Sequence, residues 1–358
     1  MNLQYVFVHG YAGWGSYDAR YQKMPYWGMR GGDLISRLQK EGGPAYAASV
    51  SPKGSAWDRA CELYAQLFGT RVDYGEAHSR EYHHERYGRD FSDCPLLPQW
   101  DDDMGLVLIG HSFGGMTARL FAELLANGDP AEREATKDES ISPLFQGGMG
   151  DRIHSVAAVA AALNGNSVYT MLEDPAFDPD AVKVSWKARF YGRIFAKFTQ
   201  KQSDVSDPRD CAEYDMQIDR ALELNRRITD LPHVYYYSVP CCFTIKKEDG
   251  TYVPEKKMES VFMLRSAQMG QYCGKTKGGY VIDRKWWMND GRVNTISEIA
   301  PFGSKKKDLE QGSSPEPGIW NVYPIYHGDH MSLQGGYRQK HDIYAFYRDM
   351  LGVIGDGC

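Results

Sequence analysis

The sequence predicts an α/β fold on a mostly parallel sheet, and two observations carry that expectation. From Tyr5 to Ala161, short apolar runs alternate with helical patterns, as in successive βαβ units. Within that stretch, "GLVLIGHSFGG" places a turn of small residues between an apolar strand and a helix, the way a chain leaves the edge of such a sheet. At 358 residues the chain can bury a substantial core, and we expect one large domain over 1–358 with two insertions.

In order along the chain, "YVFVHG" reads as the first strand, "DLISRLQKEG" as a helix and "AYAASVS" as the next strand. "AWDRACELYAQLFG" is helical, "GLVLIG" is a strand, "GGMTARLFAELLANG" a helix and "HSVAAVAA" a strand. Two segments interrupt the alternation. Residues 69–100 are rich in His, Tyr, Arg and Asp, show no clear period, and look like an insertion between a helix and the next core strand. Residues 164–231 contain "AVKVSWKARFYGRIFAKF", with apolar residues near helical spacing and basic residues between them, which fits a surface helix or a mobile cap helix. "HVYYYSVP" then resumes the sheet, residues 246–317 are expected to be loop-rich, and "HDIYAFYRDMLGVIG" closes the chain as a helix.

Composition excludes several partners. With 41 Lys and Arg interspersed among 47 Asp and Glu, the net charge of -6 leaves no basic face for nucleic acid and no polybasic membrane signal. No apolar run approaches the roughly 20 residues of a membrane-crossing helix. Met1 leads almost at once into a core strand, so no signal peptide is expected in this chain. The seven cysteines, Cys61, Cys94, Cys211, Cys241, Cys242, Cys273 and Cys358, are odd in number and scattered, which argues against a disulfide framework.

Chemistry concentrates in a few motifs. Gly110, His111, Ser112, Phe113 and Gly114 form G-x-S-x-G in a strand-turn-helix context, which lifts a serine hydroxyl above the sheet edge as a nucleophile. "HGYAGWG" after the first strand suits the second half of an oxyanion hole, with Tyr11 and Phe113 as N–H donors. A serine hydroxyl is a poor nucleophile alone, so a carboxylate and then a histidine should follow it in the chain. His154 and His233 lie at strand starts and His341 opens the last helix, while "YHGDHMSL" leaves both His327 and His330 in a loop before it. Asp290 of "WWMNDGRVNT" is the preferred acid and Asp283 its rival. A third cluster, "GEAHSREYHHERYGRD", holds His78, His83 and His84, and its spacing leaves metal site, catalytic base and wet surface open.

The motifs "VHGYAGWG", "YWGMRGGDL", "WDRACELYAQLFGTRVDYGEAH", "GHSFGGMTARL", "SPLFQGG", "WMNDGRVNTIS" and "DHMSL" resemble the bacterial lipases of family I.5, found in thermophilic bacilli with relatives in staphylococci and clostridia. The resemblance covers most of the chain except the cap. It implies an α/β-hydrolase fold, a triad of Ser112, Asp290 and His330, and an oxyanion hole at Tyr11 and Phe113, the latter in place of the usual glutamine. It also implies a structural zinc held by Asp58, His78, His84 and Asp210, with His83 a surface residue, Asp215 passed over, and Cys61 and Cys211 left to packing. Calcium is not expected, because Ser332 and Tyr337 stand where the family places acidic ligands.

The motifs and the resemblance together lead us to expect a serine ester hydrolase, acting on triacylglycerols or other water-insoluble acyl esters at a lipid-water interface. An esterase or polyester hydrolase with a more open site, an acyltransferase using the same triad, and a silent binding protein are the alternatives. The resemblance implies export, with a cytoplasmic location as the alternative.

Overall fold

The computed structural model describes residues 1–97, 101, 103–199, 206–310 and 312–355. Residues 98–100 of the first expected insertion, residues 200–205 of the second, and Cys358 lie outside them. Seven strands form one sheet: β1 (Asn2–Val8), β2 (Ala45–Ala48), β3 (Met104–His111), β4 (Ile153–Val159), β5 (Tyr235–Val239), β6 (Lys306–Asp308) and β7 (Trp320–Val322). Their spatial order is β6-β7-β5-β4-β3-β1-β2, and every neighbouring pair runs parallel.

The central strand β3 is buried along its whole length, because helices cover both faces of a parallel sheet. On one face lie α2 (Ala56–Phe68) and α4 (Phe113–Asn127), which bury Leu63, Phe113, Phe121 and Leu125. The other face is covered by α1 (Leu34–Lys40) and α8 (Tyr344–Gly355), with Trp27, Leu38 and Tyr347 in its core. Between these come α3 (Glu76–Tyr82), α5 (Trp186–Thr199), α6 (Ile218–Arg227) and α7 (Met263–Met269). Register brings Val8 opposite Gly110 and His111 opposite Val159, so the carboxyl ends of β1, β3 and β4 share one edge. Loops at such an edge are where ligands bind in open α/β sheets.

One expectation needs correction. Residues 246–317 are less loop-like than predicted: they hold α7, a short helix Thr295–Ile299 and the edge strand β6. The β6 sequence is Lys-Lys-Asp, too short to show a period and charged as edge strands tend to be, which hid it. Residues 69–97 also have order despite lacking a period, since Arg71–Asp73 pairs antiparallel with Tyr87–Asp90 around α3. The six described cysteines, Cys61, Cys94, Cys211, Cys241, Cys242 and Cys273, are free thiols.

Candidate active site

Ser112 sits between β3 and α4 with φ 56 and ψ -128, a strained conformation for a residue with a side chain. The flanking glycines make the turn feasible. A Cβ on Gly110 would stand 2.3 Å from the Gly114 carbonyl oxygen, and one on Gly114 2.2 Å from that of Val8. Phe113 opens α4, where no preceding turn supplies an acceptor for its N–H, so that donor and the helix dipole face the serine. Its ring is fully buried against the Arg59 guanidinium, 4.9 Å from the ring centre.

The Ser112 Oγ lies 2.9 Å from His330 Nε2, and His330 Nδ1 lies 2.5 Å from Asp290 Oδ2. Asp290 is wholly buried, and its Oδ1 accepts from the N–H groups of Arg292 and Val293 at 2.8 and 2.7 Å. The Asn-Asp-Gly turn therefore does two jobs: it folds the loop and presents a second carboxylate oxygen to the imidazole. Glu298 lies buried nearby, accepting from the Cys241 N–H at 2.6 Å. Burial first, and then the Asp290 charge, push the Glu298 carboxyl well above the usual carboxylate range.

The rivals lie elsewhere. His327 is exposed and 3.2 Å from Glu255, while Asp283 caps the short turn Arg284–Trp286 through the Lys285 N–H. His154 contacts the Ser155 hydroxyl, the His233 ring contacts the Gly150 carbonyl, and His341 precedes α8.

Sequence reasoning missed the supports beneath these groups. His111 Nε2 donates to the His330 carbonyl at 2.8 Å, which leaves Nδ1 to accept from the Tyr26 hydroxyl at 2.7 Å. That hydroxyl in turn accepts from the Gly10 N–H at 2.9 Å. The chain of bonds ties the Gly10 loop to the loop carrying His330. Burial first, and then the charge of His330, lower the His111 pKa to about 3, so it stays neutral. The fully buried Arg59 donates to the His9 carbonyl and reaches that of Ser51 at 3.3 Å. The motifs contained these residues, but nothing in one strand-turn-helix pattern says which distant loop they bind.

A cavity of about 400 Å³ opens over Ser112 and His330, walled by Tyr191, Phe195, Val261 and Phe262 among others. A larger one, about 690 Å³, lies beside Ser55, His78, Tyr82 and Asp210, and neither Ser112 nor His330 lines it.

Asp58, His78, His84 and Asp210 each offer one donor atom within 4.8 Å of the others. His78 Nε2 is 3.2 Å from Asp58 Oδ1 and 3.4 Å from Asp210 Oδ1, and His84 Nε2 is 3.3 Å from Asp210 Oδ2. Those spacings match the roughly 3.3 Å edge of a tetrahedron with metal-donor bonds of about 2.0–2.1 Å. His84 Nδ1 faces the Glu85 carbonyl at 2.9 Å and must donate to it, which turns a lone pair on Nε2 toward Asp210. His84 Nε2 and Asp210 Oδ1 are also buried without a hydrogen-bond partner. His84 Nε2 and Asp210 Oδ2, two acceptors facing each other, call for a cation, so the donor set fits one. His83 caps α3 in the left-handed conformation, φ 61, and its exposed ring leaves the cluster. Asp215 accepts from the Ala56 N–H at 2.7 Å instead, at the start of α2. Cys61 packs in the core, and Cys211 Sγ contacts the Pro208 carbonyl. At the expected calcium positions, the Ser332 hydroxyl donates to Asp329 at 3.1 Å and Tyr337 is exposed.

An elbow serine, an imidazole and a buried carboxylate at the carboxyl edge of a parallel sheet define the α/β-hydrolase class of fold. Within it the chain belongs to the family described as "Lipase-like, C-terminal domain", whose model matches residues 2–179 and 193–352. It is 30% identical over 353 residues to a lipase of Staphylococcus epidermidis, covering 92% of this chain and 49% of that protein. The chain spans about half the length of the curated relatives it matches. Among solved structures, EstA from Clostridium botulinum superposes with a TM-score of 0.81 at 31% identity, over 99% of this chain and 87% of that one. The Staphylococcus hyicus lipase gives a TM-score of 0.81 at 28% identity, over 99% and 96%. Among the described residues, no helix is long and apolar enough to cross a membrane.

Proposed function

We propose that this chain is a serine carboxylic ester hydrolase, a lipase cleaving triacylglycerols or other water-insoluble acyl esters through an acyl-enzyme. The observation that carries this reading is the 2.9 Å contact of Ser112 Oγ with His330 Nε2, backed by Asp290. Ser112 Oγ attacks the ester carbonyl as its proton passes to His330 Nε2. Asp290 orients the ring and stabilises the imidazolium, while the Tyr11 and Phe113 N–H groups hold the oxyanion. Collapse expels the alcohol, which takes the proton from His330, and water then cleaves the acyl-enzyme by the same steps. The fold and family membership support the reading.

The cluster of Asp58, His78, His84 and Asp210 would hold zinc. That ion would join α2, the insertion at 69–100 and the cap at 164–231 structurally, all within one domain. In the cap, Trp186, Phe190 and Ile194 recur every four residues along α5 and are 74%, 54% and 51% exposed. Such a stripe suits contact with a lipid-water interface, and its neighbours Tyr191 and Phe195 wall the cleft. Export belongs to the same reading. Ester cleavage should vanish in Ser112→Ala with folding unchanged, and hydrolysis persisting in that variant would defeat the mechanism.

A further inference from the structure

The cleft over Ser112 carries an unbalanced charge. Arg20, Arg292 and Arg338 line it, and no aspartate or glutamate does, although the chain as a whole is acidic at -6. Each comes from a loop that also builds the site: Arg20 follows the Tyr11 loop, Arg292 follows Asp290, and Arg338 follows His330. Their guanidinium groups lie on aromatic rings, Arg20 at 3.6 Å from the Trp14 centroid, Arg292 at 5.2 Å from Phe195 and Arg338 at 4.4 Å from Tyr191. Among the described residues none of the three is ion-paired with a carboxylate. Stacking of this kind holds a guanidinium in place and leaves its edge N–H donors available.

Behind Arg292 a side cavity of about 60 Å³ adds Arg265, whose Nη1 donates to Gln268 at 2.8 Å. Burial first, and then the charge of Arg292, lower the Arg265 pKa to about 10. Two neighbouring cations raise each other's energy until an anion joins them. The carboxylate on that side cavity, Glu213, is engaged through Oε1 by the Tyr11 hydroxyl at 2.6 Å and by Lys53 at 3.9 Å, while its buried Oε2 has no hydrogen-bond partner.

We infer that the cleft selects acyl esters that carry an anionic group, a carboxylate or a phosphate, which Arg292 and Arg338 bind while Ser112 attacks the ester. The inference rests on the ester-hydrolase reading and narrows its substrate class to charged acyl esters in preference to the uncharged triacylglycerols. The anion would come either from a free carboxylate on the acyl chain or from a lipid headgroup.

Paired substrates test it. Mono-para-nitrophenyl adipate and para-nitrophenyl hexanoate differ by one terminal carboxylate, and micellar phosphatidylglycerol and diacylglycerol differ by a phosphate-bearing headgroup. In at least one pair, kcat/KM should favour the anionic member roughly tenfold at low ionic strength, as one charge-assisted contact provides. That ratio should fall several-fold in Arg292→Gln and Arg338→Gln, and also in about 1 M salt, where surface charges are screened within about 3 Å. A preference confined to the adipate identifies a free carboxylate; one confined to the lipid pair identifies a headgroup. Equal rates within both pairs overturn the inference and leave the hydrolase reading standing. If no ester is cleaved, that reading fails, and calorimetry of Ser112→Ala with monomethyl adipate against methyl hexanoate decides the inference separately. Tighter binding of the adipate upholds it, and equal affinity overturns it.

Discussion

Replacing Tyr26 by Phe isolates the bond chain from Gly10 through Tyr26 and His111 to His330. The ring stays, with its edge contacts to Trp14 and Trp27 at 5.4 Å, and one oxygen is lost. That oxygen serves two buried groups, the Gly10 N–H and His111 Nδ1. His111 cannot compensate by changing tautomer, because its Nε2–H is needed at the His330 carbonyl. Each orphaned buried group costs about 1–3 kcal/mol, so the variant should lose about 2–6 kcal/mol of stability. With a urea m-value at or above about 3 kcal/mol/M for a chain of this size, the midpoint should fall by about 1 M at unchanged m. Because the same bonds fix the loops bearing Tyr11 and His330, kcat should drop about tenfold to a hundredfold with KM nearly unchanged. A double-mutant cycle with His111→Phe should return a coupling of about 0.5–3 kcal/mol. Stability within about 0.5 kcal/mol of the parent together with unchanged kcat would refute the relay, since surface-like effects are of that size.

Substitutions in the metal cluster and at Glu62 give two further expected outcomes. His84→Ala should lose bound zinc and melt like the chelator-treated parent, whereas His83→Gly, which frees a left-handed φ of 61, should keep its zinc and gain up to about 1 kcal/mol. Equal zinc per chain in the two proteins would reject that division of the histidines. Burial pushes the Glu62 carboxyl up to about 7 against hydrogen bonds from Ser51 and Tyr74 that lower it. The folded chain then binds the extra proton, so stability from this group is present below the ordinary glutamate value of 4.5 and fades as pH rises through about 7. Glu62→Gln should flatten urea-derived stability over that window, and parallel profiles for the two proteins would count against the assignment.

How far each feature could be read from sequence tracks the range of the contacts that make it. Ser112 was legible because its turn depends on Gly110 and Gly114 and on a strand and helix contiguous with them. Asp290 and His330 were narrower choices among alternatives, since their pairing across 40 residues, and that of His330 with Ser112 across 218, depend on the sheet edge that brings the loops together. The metal cluster was the least legible by spacing. His78 meets Asp58 across 20 residues and meets Asp210 through the cap, and what points His84 inward is a left-handed His83 that no periodicity reveals. Arg59 and Tyr26 escaped for the same reason: a buried arginine next to Asp58 reads as an ordinary helix residue until its acceptors, the carbonyls of His9 and Gly10, are in place. Local motifs therefore name the atoms proposed to react, while the groups that hold them in place are specified by the tertiary packing. Substitutions at Tyr26, His111 and Arg59 should accordingly separate the two, degrading alignment while Ser112, Asp290 and His330 all remain.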